Sequence, residues 1–321
     1  MASFTKVPLT AIQFYDSGTC PFAQRAWITL IEKKLNFQQK IVDLQNKPKH
    51  FTQLYACIHP DPTAPAKVPI IIDGDNQLIE SNVVSEYLDV KYRSNGVKLF
   101  PEDALQLAKV RWFVDLFSET FLPSLFGLLR ADSEESLQAA KIKMDSALKN
   151  LDKFVEQHGS STGGDYFLGG SYSFAEVAGT PFVHRAFAAL PAIRGYSIDK
   201  AIQQQKLTRL DAWIKAALAR PSYQETAPAD DTVAKSFQKF IGGFSGHVKH
   251  LLGDVAQVQQ SSCIVYAHED CATQARMLWR TTCMCVFGLN EHFADTMAIA
   301  RDPVSSSSAL QADLAFSAWQ L

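Results

Sequence analysis

The chain changes its hydrophobic period once, near residues 88–101, and that change limits it to a fold of two unlike parts. Before it, strand-like runs alternate with helical stripes. Residues 7–17 read as a strand with Ile12 and Phe14 on one face, broken by Gly18-Thr19-Cys20-Pro21. Pro21 suits a first helical position, where its missing N–H is no loss, and Ala23, Ala26, Trp27, Leu30 and Ile31 follow at helical spacing. A second strand is expected at 37–44. The stretch 45–66 reads as loop, with His59-Pro60-Asp61-Pro62 and Ala64-Pro65 as breakers. Val68 to Ile72, a turn at Asp73 to Asn76, and Gln77 to Glu80 read as a hairpin. Ser81 reads as the N-cap of a helix burying Val83, Val84, Tyr87 and Leu88. This order fits a small mixed sheet with helices packed on it.

From about 102 to 250 the pattern is helical throughout. Ala104 to Leu129, Glu134 to His158 and Leu207 to Ala219 are amphipathic, the last stopped by Arg220-Pro221. Ser173-Phe174-Ala175-Glu176 is a capping box, with Tyr172 and Val177 placed to staple across it. The fold class expected is α/β plus all-α, with one domain at 8–92, a linker at 88–101, and an all-helical domain at 101–250. The tail at 253–321 has weak periodicity and reads as an unassigned extension, either disordered or loosely docked.

Hydrophobic residues make up 47% and charged residues 20%, enough for a full core, and the net charge is −2. That balance, with no lysine-arginine block, argues against nucleic acid or an anionic membrane as partner. The apolar stretches read as far short of a membrane span. Met1 to Thr10 has no apolar h-region, so a cytoplasmic compartment with reduced thiols is expected for the six cysteines. Cys263, Cys271, Cys283 and Cys285 crowd the tail at spacings that fit no zinc pattern, and no metal is expected.

Cys20 carries the chemistry. A thiol is a weak nucleophile when protonated, and the unpaired N–H groups and dipole of a helix start favour the thiolate. Cys20-Pro21-Phe22-Ala23 places a cysteine there, directly after a strand, so an acid-shifted thiol is expected. A dithiol motif of the thioredoxin type would have its second cysteine at position 23, where alanine stands. The site then has one thiol, and a soluble thiol must resolve it; glutathione is the abundant candidate. The competing reading is a buried, inert cysteine.

Two further motifs favour the first reading. In thioredoxin-like folds a proline before the third strand, as in Val68-Pro69, is often cis and leaves the preceding backbone free for a peptide-like substrate. The alternative is an edge-strand proline. Glu80-Ser81 falls where a strand feeds a helix, a place for a carboxylate. Ser81 can take the γ-glutamyl carboxylate of glutathione and Glu80 can face its ammonium, or Ser81 is simply a cap. Lys47 is suited to the other carboxylate, or is a solvated loop lysine.

Cys20-Pro21-Phe22-Ala23-Gln24-Arg25-Ala26-Trp27, Asp43-Leu44-Gln45-Asn46-Lys47-Pro48, Lys67-Val68-Pro69, Glu80-Ser81 and Glu86-Tyr87-Leu88 come in the order of the cysteine-type glutathione S-transferases. Over roughly residues 10–245 the chain resembles the lambda and omega classes, and the Ala-Trp and Asp-Leu-Gln-Asn runs lean towards lambda. The resemblance implies a thioredoxin-like N-terminal domain and an all-helical glutathione-transferase C-terminal domain. It implies Cys20 as catalytic residue and Phe22, Lys47, Val68, Pro69, Glu80 and Ser81 as glutathione contacts, that of Val68 through backbone. It also implies glutathione as co-substrate, a small apolar or glutathionylated second substrate, and a monomer or homodimer. Such enzymes favour thiol transfer, deglutathionylation and dehydroascorbate reduction over conjugation in detoxification.

The same fold serves non-catalytic ligand carriers and chloride-intracellular-channel-like proteins, but Glu32, Lys33, Lys34 and Lys40 argue against a membrane-entering segment near 22–45. Trp112, Phe113, Leu116, Phe117 and Phe121 are candidates for lining a second pocket and equally fit core packing. Arg25, one turn after Cys20, either helps hold negative potential or is a surface charge. Cys57 reads as a free loop thiol, with a resolving thiol as the alternative, and His184 as a satisfied core or interface residue.

Overall fold

The computed structural model describes residues 11–160 and 162–241. The expectations for 7–10, for 242–250 and for the tail at 253–321, with its four cysteines, lie outside the described residues.

The first part begins with β1 (Ile12–Asp16), α1 (Pro21–Glu32), β2 (Phe37–Ile41) and α2 (Lys49–Ile58). It continues with β3 (Ile70–Asp73), β4 (Asn76–Ile79) and α3 (Ser81–Lys91). The sheet order is β2-β1-β3-β4. β1 pairs parallel with β2 and antiparallel with β3, Phe14 opposite Gln39 and Ile71, and β3 and β4 close the hairpin. This is a thioredoxin-like arrangement. Its core gathers Phe14, Ala23, Ala26, Leu30, Phe51, Ile70, Val84 and Leu88.

Three local expectations are corrected. The stretch read as loop holds α2, which follows Pro48 and stops before Pro60. Its turns form because Phe51 and Tyr55, one turn apart, both bury their rings. Cys57 is therefore an exposed helical residue. Ser81 is not the cap of α3. Glu80 is, at φ 69 and with no side-chain cap bond, and Ser81 is already the first helical residue. A left-handed glutamate is a strained backbone state held by its surroundings. Val84 and Leu88 are fully buried as expected, but Val83 is exposed.

The second part contains α4 (Ala104–Leu116), a π turn (Phe117–Phe121), α5 (Leu122–Arg130) and α6 (Glu134–His158). It continues with α7 (Phe174–Arg194), α8 (Ile198–Gln205), α9 (Thr208–Leu218), α10 (Pro221–Thr226) and α11 (Asp230–Phe237). Ala104 to Arg130 runs as one continuous 27-residue helix, long and apolar enough by length and composition to cross a membrane. That corrects the expectation of apolar stretches far too short for a span. In this fold the run is a core helix. Phe113, Phe117, Phe121 and Leu125 are fully buried or nearly so, and Phe117 stacks on Phe121 at 4.7 Å between ring centroids. Each such ring contributes roughly 1.5–3 kcal/mol by leaving water.

The linker between the parts is short and tied down. Lys33 and Asp89, both without solvent contact, pair at 2.9 Å. Lys33 also donates to the Val97 carbonyl, and Asp89 accepts from the backbone N–H groups of Leu99 and Phe100. At Gly96, at φ 52, a Cβ would stand 1.9 Å from the Glu32 carbonyl oxygen, so only glycine fits.

The two parts meet across α1. One face of that helix packs on the sheet and the other carries Gln24, Arg25 and Glu32, all buried. Glu32 accepts from Arg220 at 2.7 and 2.8 Å and from Ser222 at 2.5 Å. Gln24 donates to Thr226 at 3.0 Å. A helix polar on a buried face has to bring its partners with it, and those of Glu32 and the Gln24 amide N–H come from α10 and the turn before it.

Candidate active site

Cys20 is the N-cap of α1 and Pro21 its first residue. The strand–helix junction is built by β1 ending at Asp16, and the Cys20 N–H donates to Ser17 Oγ at 3.2 Å. The thiol makes no capping bond of its own, and the backbone N–H groups of Phe22 and Ala23 face the sulfur. Cys20 keeps part of its surface in solvent.

The electrostatics are mixed. Burial of the sulfur pushes the Cys20 thiol up, and this outweighs the pull of the Ala23 and Phe22 N–H groups and of Arg185; Asp16 adds to the upward push. The acid-shifted thiol expected from the helix start is therefore reversed in direction, because the sulfur's protein surroundings exclude the water that would stabilise the anion.

The other sequence-derived residues divide into those the fold brings together and those it leaves apart. Arg25 is no surface charge. It is buried, lies 5.4 and 4.8 Å from the ring centroids of Phe22 and Phe182, and is pulled down to about 9 by burial. It donates to the Ala178 carbonyl and Asn82 Oδ1 at 3.0 Å each, and to Ser81 Oγ at 3.5 Å. This guanidinium thus links the first turn of α1 to the start of α3 and to α7. Ser81 is buried there and Glu80 is exposed beside it. Phe22 stays 39% exposed while its ring meets Phe182 edge-on at 4.8 Å. Val68 and Pro69 are buried, their peptide bond is cis, and both precede the ladder, whose register starts at Ile70. Lys47 is half-buried in the turn before α2 and makes no ion pair among the described residues.

Of the aromatics offered as pocket lining, Phe113, Phe117 and Phe121 are core residues with no open face, and Trp112 is 52% exposed against Phe154 and His158. His184 is satisfied on one side by Asp230 at 2.8 Å. Two buried charges near Cys20 escaped sequence reading, Asp16 and Arg185. For Arg185 a signal existed: a cation within the run Pro181 to Leu190, which is apolar apart from it and His184.

Among known proteins, residues 19–91 match the glutathione S-transferase N-terminal domain family and residues 108–226 the C-terminal domain family. Glutathione S-transferase L1 of Arabidopsis thaliana is 29% identical over 71% of this chain and 87% of its own length. A rice protein named "Probable glutathione S-transferase DHAR1, cytosolic" is 28% identical over 67% of this chain and 86% of its own. A second rice relative, 26% identical over 70% of this chain and 72% of its own length, is named chloroplastic. The crystal structure of glutathione transferase Omega 3C from Trametes versicolor superposes with a TM-score of 0.60 at 25% identity, over 73% of this chain and 92% of that one. Both halves of the fold are matched, and in order, so this chain belongs to the glutathione S-transferase family, with lambda, DHAR and omega-class proteins among its relatives and glutathione as the co-substrate.

Proposed function

We propose that the protein is a cysteine-type glutathione transferase that acts as a thiol transferase through a mixed disulfide on Cys20, with weak conjugating activity. The observation that carries this reading is a partly buried cysteine at a helix start with no side-chain cap bond, with Ala23 where a resolving thiol would stand. Cys57, the other described thiol, sits on the exposed side of α2.

The chemistry balances with glutathione alone. The Cys20 thiolate attacks the glutathione sulfur of a glutathionylated substrate. The S–S bond breaks, the substrate leaves as a thiolate that takes a proton, and Cys20 is left disulfide-bonded to glutathione. A second glutathione thiolate then attacks that glutathione sulfur, releasing glutathione disulfide and the Cys20 thiolate. The net change is one disulfide exchanged for another, with the substrate reduced. In this reading Ser81 receives the γ-glutamyl carboxylate at the start of α3, Glu80 faces the ammonium, Val68 offers backbone, Lys47 pairs with the second carboxylate, and Phe22 and Pro69 supply apolar contact. We place the enzyme in the cytoplasm.

The test compares wild type and Cys20→Ser for glutathione-dependent disulfide reduction, dehydroascorbate reduction and aryl conjugation. The expected result is loss of both reductions in the variant, with conjugation unchanged or raised. Disulfide reduction retained by Cys20→Ser would move the chemistry to another group and overturn the reading.

A further inference from the structure

We propose that Arg185 and Asp16 are unbonded, opposed buried charges that together set the ionisation of Cys20, with Arg185 the positioning residue that the helical half supplies to the site in the other half. The inference rests on Cys20 being the reacting thiol.

Arg185 sits mid-way along α7 and is completely buried. Its Nη2 reaches across to the Thr19 carbonyl at 3.1 Å, one residue before Cys20. Its Nη1 donates to Gln24 Oε1 on α1 and to the Pro181 carbonyl, and its Nε has no partner. Every one of these acceptors is neutral, and no carboxylate forms an ion pair with Arg185 among the described residues. A buried cation without a counter-charge is costly and is ordinarily paired. Here burial pulls the guanidinium down to about 10. The titratable groups that face it are Tyr223 of α10, the Cys20 sulfur and Asp16; burial keeps the Tyr223 hydroxyl protonated, so the anions within its reach are Asp16 and a Cys20 thiolate.

Asp16 is the opposing member. It ends β1, is 1% exposed, and accepts from the Ser17 N–H at 2.6 Å and Gln39 Nε2 at 2.9 Å. Burial pushes its carboxyl up, and no cation bonds it directly. Its charge works against a thiolate on Cys20, so the two compete for one negative charge beside Arg185, and their titrations are linked.

Arg25 on α1 is a second buried cation that acts on the sulfur: it donates to Ala178 and Asn82, and its Nη2 has no partner. The remaining charged neighbours are directed elsewhere. Lys40 on β2 bonds Gln13 and lies over Tyr15. On α7 and α11, His184 and Asp230 pair with each other. On α3, Asp89 is committed to Lys33 and Arg93, and Glu80 faces Tyr55 of α2.

The test uses the full chain and reads Cys20 alone among the six cysteines, by peptide-resolved mass spectrometry of iodoacetamide alkylation rates across about pH 5 to 10. At a fixed pH below the midpoint, Arg185→Gln slows Cys20 alkylation roughly tenfold, Arg185→Lys stays within about threefold of wild type, and Asp16→Asn speeds it roughly tenfold. These are movements of the midpoint in opposite directions. Simple loosening of the seam would instead speed alkylation in every variant and leave the midpoint in place, and that result overturns the proposal. So does an unmoved midpoint in both neutral variants. Should Arg185→Gln fail to fold, Asp16→Asn and Arg185→Lys decide alone, and an unaccelerated Asp16→Asn sinks the pairing. A flat response alongside lost thiol transfer in Cys20→Ser removes only this inference; retained transfer in Cys20→Ser removes the functional reading on which it stands.

Discussion

Two helices of this protein begin in opposite ways. At α7, Ser173 Oγ accepts from the Ala175 N–H, and Glu176 reaches back to the Ser173 N–H at 2.8 Å. Glu176 also accepts from the Phe167 N–H at 2.6 Å and from Trp213 Nε1 at 2.8 Å. Every donor there is spent inside the protein. At α1 the cap is Cys20, with no side-chain capping bond and no acid in the first turn. The first arrangement uses a helix start to hold the fold together, and the second turns its first backbone N–H groups, those of Phe22 and Ala23, toward the Cys20 sulfur. α3 shows the contrast within one helix. Its start at Glu80 and Ser81 lacks a cap bond, while at its other end Tyr87, Lys91 and Tyr92 all converge on Asp73, Lys91 at 2.7 Å.

Glu176→Ala is the largest expected loss. It strands the buried donors of Phe167, Ser173 and Trp213, and urea unfolding is expected to show a deficit of roughly 3–5 kcal/mol. A deficit below about 1 kcal/mol would deny that the closed start is structural. Asp73→Asn comes next, at roughly 1.5–3 kcal/mol near neutral pH. Its pH dependence has a definite sign. Burial alone would push the Asp73 carboxyl up, but the bonds from Lys91, Tyr92 and Tyr87 prevail and hold it below 3.8. A depressed carboxylate stabilises the folded state above its unfolded value, and that stabilisation is lost as pH falls through the folded one. The gap between wild type and Asp73→Asn is therefore full at neutral pH and closes in acid, as urea midpoints measured from about pH 7 to 3 would record. A gap that widened in acid would contradict the assignment.

Ser173→Ala is expected to lower stability by about 1 kcal/mol, read by thermal unfolding. Cys20→Ala should sit within about 0.5 kcal/mol of wild type while losing thiol transfer. Equal costs for Ser173→Ala and Cys20→Ala would erase the distinction between the two helix starts.

What the sequence made legible was local. Pro21 after Cys20 marks a helix start by its own ring geometry, and Ser173 to Glu176 marks another by reciprocal bonding within four residues. What stayed hidden depended on distant partners. α2 forms because Phe51 and Tyr55 find a core, and its flanking prolines disguised it. Ser81 looked like a cap because serine is a good one, yet the turn out of β4 places Glu80 there at φ 69. The polar seam of α1 is invisible in the local pattern, since Arg25 finds Ala178 and Gln24 finds Thr226 more than 150 residues away. The proposed site residues rest on residue types at spacings; the charges that surround the sulfur could not be read that way.

The π turn at Phe117–Phe121 acts as a phase corrector. Four residues of α-helix overshoot a full revolution by about 40°, so rings at i and i+4 drift around the axis. A wider π turn undershoots by roughly a similar angle, and it brings Phe121 back beneath Phe113 and Phe117, on the stripe that Leu125 and Leu128 continue. Removing one residue from this turn would leave a perfectly good helix and rotate everything after it by about 100°. The stripe from Leu122 to Arg130 would then face the wrong neighbours. A one-residue deletion here is thus a change of bearing for the whole downstream half of the helix, tolerated by the backbone and refused by the core.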